Sequence, residues 1–279
     1  MNFFKHNLSI EDYHSDNVFF SASSLKYARK SLLALRSYLD KITPAEKKPA
    51  FDFGNAFELA LCDANEYLKK VLIFNENDRP EKDKGITSKL NQEWKKEIFN
   101  GGKYVITQED NDLILRMIEQ GSKNPYITSL ISEAQYQTSF FWMCETSGLG
   151  LKARPDLVLP EKKSIVDIKT AQTAEPGLFA LDAAKYSYPL QAMMQMEGAR
   201  ACGIEIENYY WLVYEKSEPY DVVLFEFLLE DQIQQEIPYQ NLKKRVREAV
   251  EWDYWPGYAD AASAKNGILP LELPRWYVI

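Results

Sequence analysis

An α/β domain with a mixed central sheet is the fold class this sequence predicts, and three observations predict it. Strand-like runs rich in β-branched and aromatic residues fill the middle of the chain, at residues 137–144, 149–159 and 164–169. Helical periodicities stand on both sides of them. A further strand-like run at 208–214 follows a long helix, so it returns to a sheet that is already begun.

Taken in order, residues 22–40 predict a helix capped by Ser21 or Ser23, with Leu25, Ala28, Leu32, Leu35 and Leu39 on one side. Residues 51–62 predict a second, mostly buried helix. There Gly54, Ala56 and Ala60 allow close packing, and Glu58 is the odd polar member of an apolar run. Residues 75–103 are polar and lysine-rich, and they predict a long mobile insertion with one helix near 90–98. Thr107 opens the next helix with Asp110 as its capping-box partner, Leu113, Ile114, Met117 and Ile118 form its apolar stripe, and Gly121 ends it. The strand runs follow, with turns at Ser147-Gly148 and at residues 160–163. One long helix is expected from about 176 to 201, stopped by Gly203, then strands at 208–214 and 222–228 and a helix from 230 to about 250. The aromatic tail, with Trp252, Tyr254, Trp255, Tyr258 and Trp276, should pack on the body or on another subunit.

Composition narrows the chemistry. The 279 residues suffice for a substantial core. The start of the chain lacks a basic-then-apolar leader, and no run approaches the roughly 20 apolar residues of a membrane span, so a cytoplasmic protein is expected. Cys62, Cys144 and Cys202 are odd in number and far apart, which argues against a disulfide framework, a zinc ribbon or a four-cysteine cluster. The two histidines, His6 and His14, lie in the N-terminal arm, so the body of the chain has no imidazole base and a Ser-His-Asp mechanism is disfavoured. A metal site would therefore be built from oxygen ligands, which suits magnesium or manganese. The net charge of −8 counts mildly against a nucleic-acid partner, but cations cluster at 26–36, 82–96 and 243–247. Solvated helix faces are the plain reading of each cluster.

The informative segment is Arg154-Pro155-Asp156 followed by Asp167-Ile168-Lys169-Thr170. A hairpin centred between Glu161 and Lys162 makes positions 156 and 167 equidistant from the turn. Their carboxylates then face each other with Cβ atoms roughly 4.5–5.5 Å apart. Lys169 points to the same face and Arg154 stands opposite it. Facing like charges destabilise a sheet unless something neutralises them, and a divalent cation does so. Two carboxylates, a lysine and such a cation suffice to hydrolyse a phosphodiester without histidine. Glu58 and Gln191, on the flanking helices, complete the candidate set. A structural ion-pair network is the competing reading.

These residues resemble the PD-(D/E)xK nuclease signature: Pro155-Asp156, then Asp167-Ile168-Lys169, in a helix, three strands, helix, strand order. More narrowly, residues 150–156, 167–170 and Tyr188-Pro189-Leu190-Gln191, with Phe141-Trp142 and Trp255-Pro256-Gly257-Tyr258, are similar to the exonuclease domain of RecE-like phage recombination nucleases. The resemblance runs from about residue 21 to 258. It implies a restriction-endonuclease-like core with additional N- and C-terminal helices. It implies metal binding by Asp156 and Asp167, a catalytic Lys169, and Gln191 as the motif glutamine near the active site. Glu58 stands where a histidine is common and is a third candidate ligand; Gln195 stands where tyrosine is frequent. Arg154, Thr170, Tyr188, Lys243, Lys244 and Arg245 are candidate DNA contacts. The resemblance further implies Mg2+, with Mn2+ substituting, and 5′-to-3′ digestion of double-stranded DNA ends. It also implies a ring-shaped homo-oligomer, trimer or tetramer, and a single-strand annealing partner.

The expected organisation is one nuclease domain over 1–279, with a helical arm (1–50), a catalytic core (51–230) and a C-terminal helix with aromatic tail (231–279). Alternatives are a Cas4-like or endonucleolytic enzyme of the same fold, against whose Cas4-like form the missing cysteines count, an inert DNA-binding protein, and a metal-free structural domain.

Overall fold

The computed structural model describes residues 2–5, 8–15, 18–42, 49–260 and 265–274. His6 and Trp276 lie outside them. In chain order the elements are β1 (Phe3–Lys5), α1 (Ile10–Ser15), α2 (Ala22–Lys30), α3 (Leu32–Leu39), α4 (Pro49–Cys62), α5 (Ala64–Lys70), β2 (Val71–Phe74), α6 (Lys89–Asn100), β3 (Tyr104–Thr107), α7 (Gln108–Ser122) and α8 (Pro125–Glu133). There follow β4 (Gln135–Tyr136), β5 (Ser139–Met143), β6 (Gly150–Ala153), β7 (Leu157–Leu159), β8 (Ser164–Ala171), α9 (Pro176–Tyr186), α10 (Tyr188–Ala201), β9 (Asn208–Glu215), β10 (Val222–Glu226) and α11 (Leu229–Trp252).

The expected α/β architecture with a mixed sheet is present. A five-stranded sheet runs β10-β9-β8-β7-β4, and a smaller sheet runs β1-β5-β6. Within the large sheet β8 and β9 are parallel, and their neighbours are antiparallel. Central strands of this kind are covered on both faces. On one face Ile165, Tyr209, Trp211 and Val213 pack with α2, α10 and α11; on the other Val166, Ile168, Leu212 and Tyr214 pack with α4, α7 and α8.

Several expected elements are divided, each for a local reason. The run 149–159 breaks at 154–156 into β6 and β7, which belong to different sheets. Pro155 has no N–H to donate to a ladder, so pairing stops there. The helix expected over 176–201 divides at Ser187, which adopts φ +59, and restarts with Pro189 in its first turn. The helix expected over 22–40 divides at Ser31, whose backbone is extended and whose hydroxyl accepts from Ala34 N at 3.0 Å. The segment expected to be a mobile insertion contains α6 and a loop wrapped round Asn91. That fully buried side chain bonds the backbone of Glu81 and Gly85. A parallel pair, β2 with β3, and the N-terminal β1 are additions that the periodicities do not announce. The Thr107–Asp110 capping box forms as expected. Gly121 lies inside α7 rather than after it, and it leaves room for Tyr214, whose ring a Cβ would meet at 2.6 Å. In the tail, Trp255 packs beneath Arg36 at 5.4 Å, whereas Trp252, Tyr254 and Tyr258 are exposed.

Helix α10 is nearly enclosed: Leu190, Ala192, Met193, Met194, Gln195, Met196, Gly198 and Ala199 are all buried. A helix apolar all round belongs in a core. It approaches β5 so closely that a Cβ on Gly198 would meet the Trp142 ring at 2.6 Å. Gly198→Ala should therefore lower stability by about 1–3 kcal/mol despite alanine's better helix propensity. Chemical denaturation reads this directly, and an unchanged midpoint would show that α10 can move away.

Candidate active site

The register predicted for the hairpin is the one observed. Leu157 pairs with Val166, Val158 with Ile165 and Leu159 with Ser164. Continued by one step, that register sets Asp156 opposite Asp167. Asp156 occupies the bend just before β7, and its Oδ2 accepts from Ile168 N at 2.7 Å. The side chain thereby replaces the ladder hydrogen bond that the break removed. Arg154 does not stand against Lys169 as expected, because β6 has already left the sheet. It bonds Gln137 Oε1 instead, and its Nε and Nη1 are buried with no partner among the described residues.

Asp167 is fully buried. Gln191 Nε2 donates to its Oδ1 at 2.9 Å, and Lys169 Nζ pairs with its Oδ2. Pro189 fixes the start of α10, so Gln191 falls in the helix's first turn and reaches back to β8. Lys169 Nζ also lies 4.8 Å from the centre of the Tyr188 ring. Burial alone would lower the Lys169 amine, but the carboxylates of Asp167 and Asp156 outweigh it and hold the pKa above its ordinary value. The side chain stays cationic. Thr170 continues β8, half-buried, opposite Tyr214 of β9.

Glu58 of α4 comes to the same place. Its Oε1 accepts from Gln137 Nε2 at 2.7 Å. Its carboxyl is pushed up, first by burial and further by Asp167, against the hydrogen bond from Gln137. Asp156 is pushed well up by burial, then by Glu58 and Asp167, with Lys169 opposing. Two buried acids pushed up beside a third carboxylate mark a site short of positive charge. Lys26, Glu58, Gln137, Arg154, Asp156 and Gln191 line a cavity of about 200 Å³.

Two of these residues escape sequence reasoning. Gln137 is the hub: it bonds Glu58 and Arg154 by its side chain, donates its N–H to the Asp156 carbonyl at 2.8 Å, and takes φ +47 to do so. Its one visible signal is a polar residue at the head of an apolar strand run. Lys26 belongs to the first basic cluster, and nothing in the sequence separates it from its neighbours. In the fold its amine is lowered to about 8, chiefly by burial and then by Lys169. Gln195, in the position of the frequent tyrosine, is buried and accepts from Tyr209 OH at 2.7 Å.

One expected DNA contact needs correction. Lys243 is fully buried, 2.7 Å from Glu197 Oε2 and 3.3 Å from Cys144 Sγ, with Tyr239 OH donating to the same Glu197 oxygen at 2.5 Å. It offers no face to DNA, because it neutralises a core carboxylate at the edge of a separate cavity of about 650 Å³. Lys243→Ala should destabilise the chain by about 3 kcal/mol, the low end for a broken buried pair, since Glu197 keeps 25% of its side-chain exposure. Thermal melting checks this; loss of DNA affinity with unchanged melting would restore the earlier expectation. Lys244 and Arg245 are exposed on α11, outside the cavity that holds the carboxylates.

The donor set fits a hard divalent ion: three carboxylates, no sulfur and no imidazole. Asp156 and Asp167 from the hairpin and Glu58 from α4 are the residues that would hold it. Among the described residues no three such groups have closed to ligating distance, as their oxygens are bonded to Ile168, Gln191, Lys169 and Gln137.

A family model described as a PDDEXK-like domain of unknown function (DUF3799) matches residues 21–266. No curated protein matches the chain. Among solved structures, the chain is similar to a crystal structure of a Eubacterium rectale protein named "Putative exonuclease", with a TM-score of 0.62 and 14% identity over 97% of this chain and 96% of that one. At that identity the likeness is one of fold. No helix among the described residues is long and apolar enough to cross a membrane.

Proposed function

The chain belongs to the PDDEXK-like DUF3799 family, and from that premise we propose that it is a divalent-metal-dependent deoxyribonuclease. In its finer form the reading is a RecE-like 5′-to-3′ exonuclease that resects double-stranded DNA ends. It uses Mg2+ or Mn2+, works as a ring-shaped trimer or tetramer, and hands its product to a single-strand annealing protein. The observation that carries the nuclease reading is the buried pair Asp167–Lys169 beside Asp156 on one hairpin, with Glu58 and Gln191 supplied by the helices on either side.

The geometry supports a role for each residue. A divalent ion, when bound, supplies Lewis acidity at the phosphate and lowers the pKa of water. Lys169, held cationic, orients the attacking water and steadies negative charge that develops on the phosphoryl oxygens. Gln191 fixes the Asp167 carboxylate, so little reorganisation is required at the moment of reaction. Arg154, with two guanidinium nitrogens unpartnered among the described residues, provides donors for a non-bridging phosphate oxygen. Gln137 holds Glu58 and Arg154 at fixed separation.

The finer reading rests on the motif resemblance and is tested by substrate form. With magnesium, linear duplex DNA should lose nucleotides progressively, and closed circular duplex should remain intact. A 5′-terminal label should be released first. Nicking of the circle would identify an endonuclease of the same fold, and first release of a 3′ label would reverse the polarity.

A further inference from the structure

The surface formed by α2 and α3 carries positive charge out of the active site. From Ala22 to Leu39 the chain has Lys26, Arg29, Lys30 and Arg36 and no carboxylate, within a sequence whose net charge is −8. Arg36 is already compensated by Asp40 at 2.8 Å and Asp253 at 3.7 Å. The other three are not: among the described residues no carboxylate forms an ion pair with Lys26, Arg29 or Lys30. Uncompensated cations on an acidic protein mark a place where an anion is expected.

Aromatic rings lie at both ends of this run of cations. Lys169 Nζ stands 4.8 Å from the Tyr188 ring centre, and Lys26 Nζ stands 6.0 Å from the same ring. Arg29 Nη1 donates to Ser187 Oγ at 2.6 Å, which ties α2 to the residue just before Tyr188. One turn beyond Lys26, Lys30 Nζ lies 5.4 Å from the Tyr27 ring, and Tyr27 stacks on Tyr38 with centroids 4.4 Å apart. The rings of Tyr27, Tyr38 and Tyr188 are all partly exposed. The order from the hairpin outward is therefore Lys169, Tyr188, Lys26, Arg29, Lys30, Tyr27 and Tyr38. Lys26 joins the α2 cations to the active site, since it lines the carboxylate cavity.

We propose that this α2–α3 face is a binding track for one strand of DNA, leading that strand to the hairpin carboxylates. The inference rests on the nuclease reading for the direction of travel but not for the binding itself. Duplex DNA presents its phosphates on the outside and its bases inside. An unpaired strand offers both phosphates to Lys26, Arg29 and Lys30 and base faces to tyrosines. The juxtaposition of charge and ring thus fits a single strand better than a duplex.

The test is equilibrium binding of fluorescent oligo(dT) with chelator present, so that hydrolysis plays no part, across a salt series. The Arg29→Ala/Lys30→Ala variant should bind about tenfold more weakly near 0.15 M salt. Its slope of log K against log salt should be shallower by about 1.4, the value for two phosphate contacts on a single strand. Lys30→Ala alone, which leaves the Arg29–Ser187 bond intact, should lose about half of that slope change. The control variant Lys103→Ala/Lys123→Ala removes equal charge from two exposed positions outside the track and should bind as wild type does. Unchanged affinity and slope in the α2 variants, an equal loss in this control, or a loss confined to a blunt duplex would each overturn the proposal. Loss of oligo(dT) binding in a protein that never cleaves DNA would keep the track and reject the nuclease reading. Cleavage of DNA with no effect of Arg29→Ala/Lys30→Ala on binding would do the reverse.

Discussion

Lys169→Ala is expected to lower the rate of DNA hydrolysis by about a hundred- to a thousandfold, the usual cost of deleting one preorganised electrostatic group from an active site. The amine pairs with a fully buried carboxylate and lies against Tyr188, with 17% of its side chain exposed. Its pKa is held above the ordinary value by two carboxylates despite burial, so it is cationic throughout the pH range of DNA enzymology. Among the described residues no other lysine is placed to take over: Lys26 reaches the cavity from α2, yet its amine is lowered to about 8 and it bonds neither hairpin carboxylate. Removing Lys169 also leaves the buried Asp167 without its ion-pair partner. The variant should accordingly melt lower than wild type without metal and recover part of the difference when magnesium is added. Circular dichroism melting in both conditions separates this loss of chemistry from a loss of fold.

The second large effect is linkage between metal, pH and stability. Glu58 and Asp156 are raised above ordinary carboxylates by burial first; Asp167 then raises Glu58, and Glu58 and Asp167 raise Asp156. A raised folded pKa means the folded state holds the proton more tightly than the unfolded chain does. These groups then contribute most to stability below the unfolded value of about 4, and the contribution is lost as pH rises from there through the raised folded values. Compared with Asp156→Asn, which carries no such charge, metal-free wild type should lose melting temperature as pH rises across that window. Magnesium at about a hundred times its dissociation constant adds about 2.7 kcal/mol, and a chain of this size should gain roughly 5 °C. Asp156→Asn should not respond. Equal magnesium responses in wild type and variant would place the ion elsewhere.

Much of this site was legible before any fold. The hairpin register follows from the tight turn at 160–163 and the alternation of Val166 and Ile168 with Asp167 and Lys169, and it fixes which carboxylates meet. The one polar residue in the apolar run 56–62 identifies Glu58, and Gln191 follows from its motif. What was hidden depends on partners distant in sequence. Ser31 breaks a helix whose apolar spacing runs on unchanged through it, because its hydroxyl caps the next helix. Arg154 turns away from Lys169 once Pro155 ends the ladder, and it finds Gln137, whose role depends on a positive φ. Lys243 and Lys26 look alike as members of basic clusters. One pairs with Glu197 inside the core and the other enters the active site, a difference set by the packing of α11 and α2 on α10.

Metal-dependent hydrolysis that requires the hairpin carboxylate is the central expectation. The most direct measurement is release of acid-soluble nucleotides from linear duplex DNA by wild type and by Asp167→Asn, with magnesium and with chelator, after both proteins are shown to be folded. Release by wild type that disappears with chelator and with Asp167→Asn is the predicted result. Equal release by Asp167→Asn, release that survives chelator, or no release by wild type with either magnesium or manganese would contradict it.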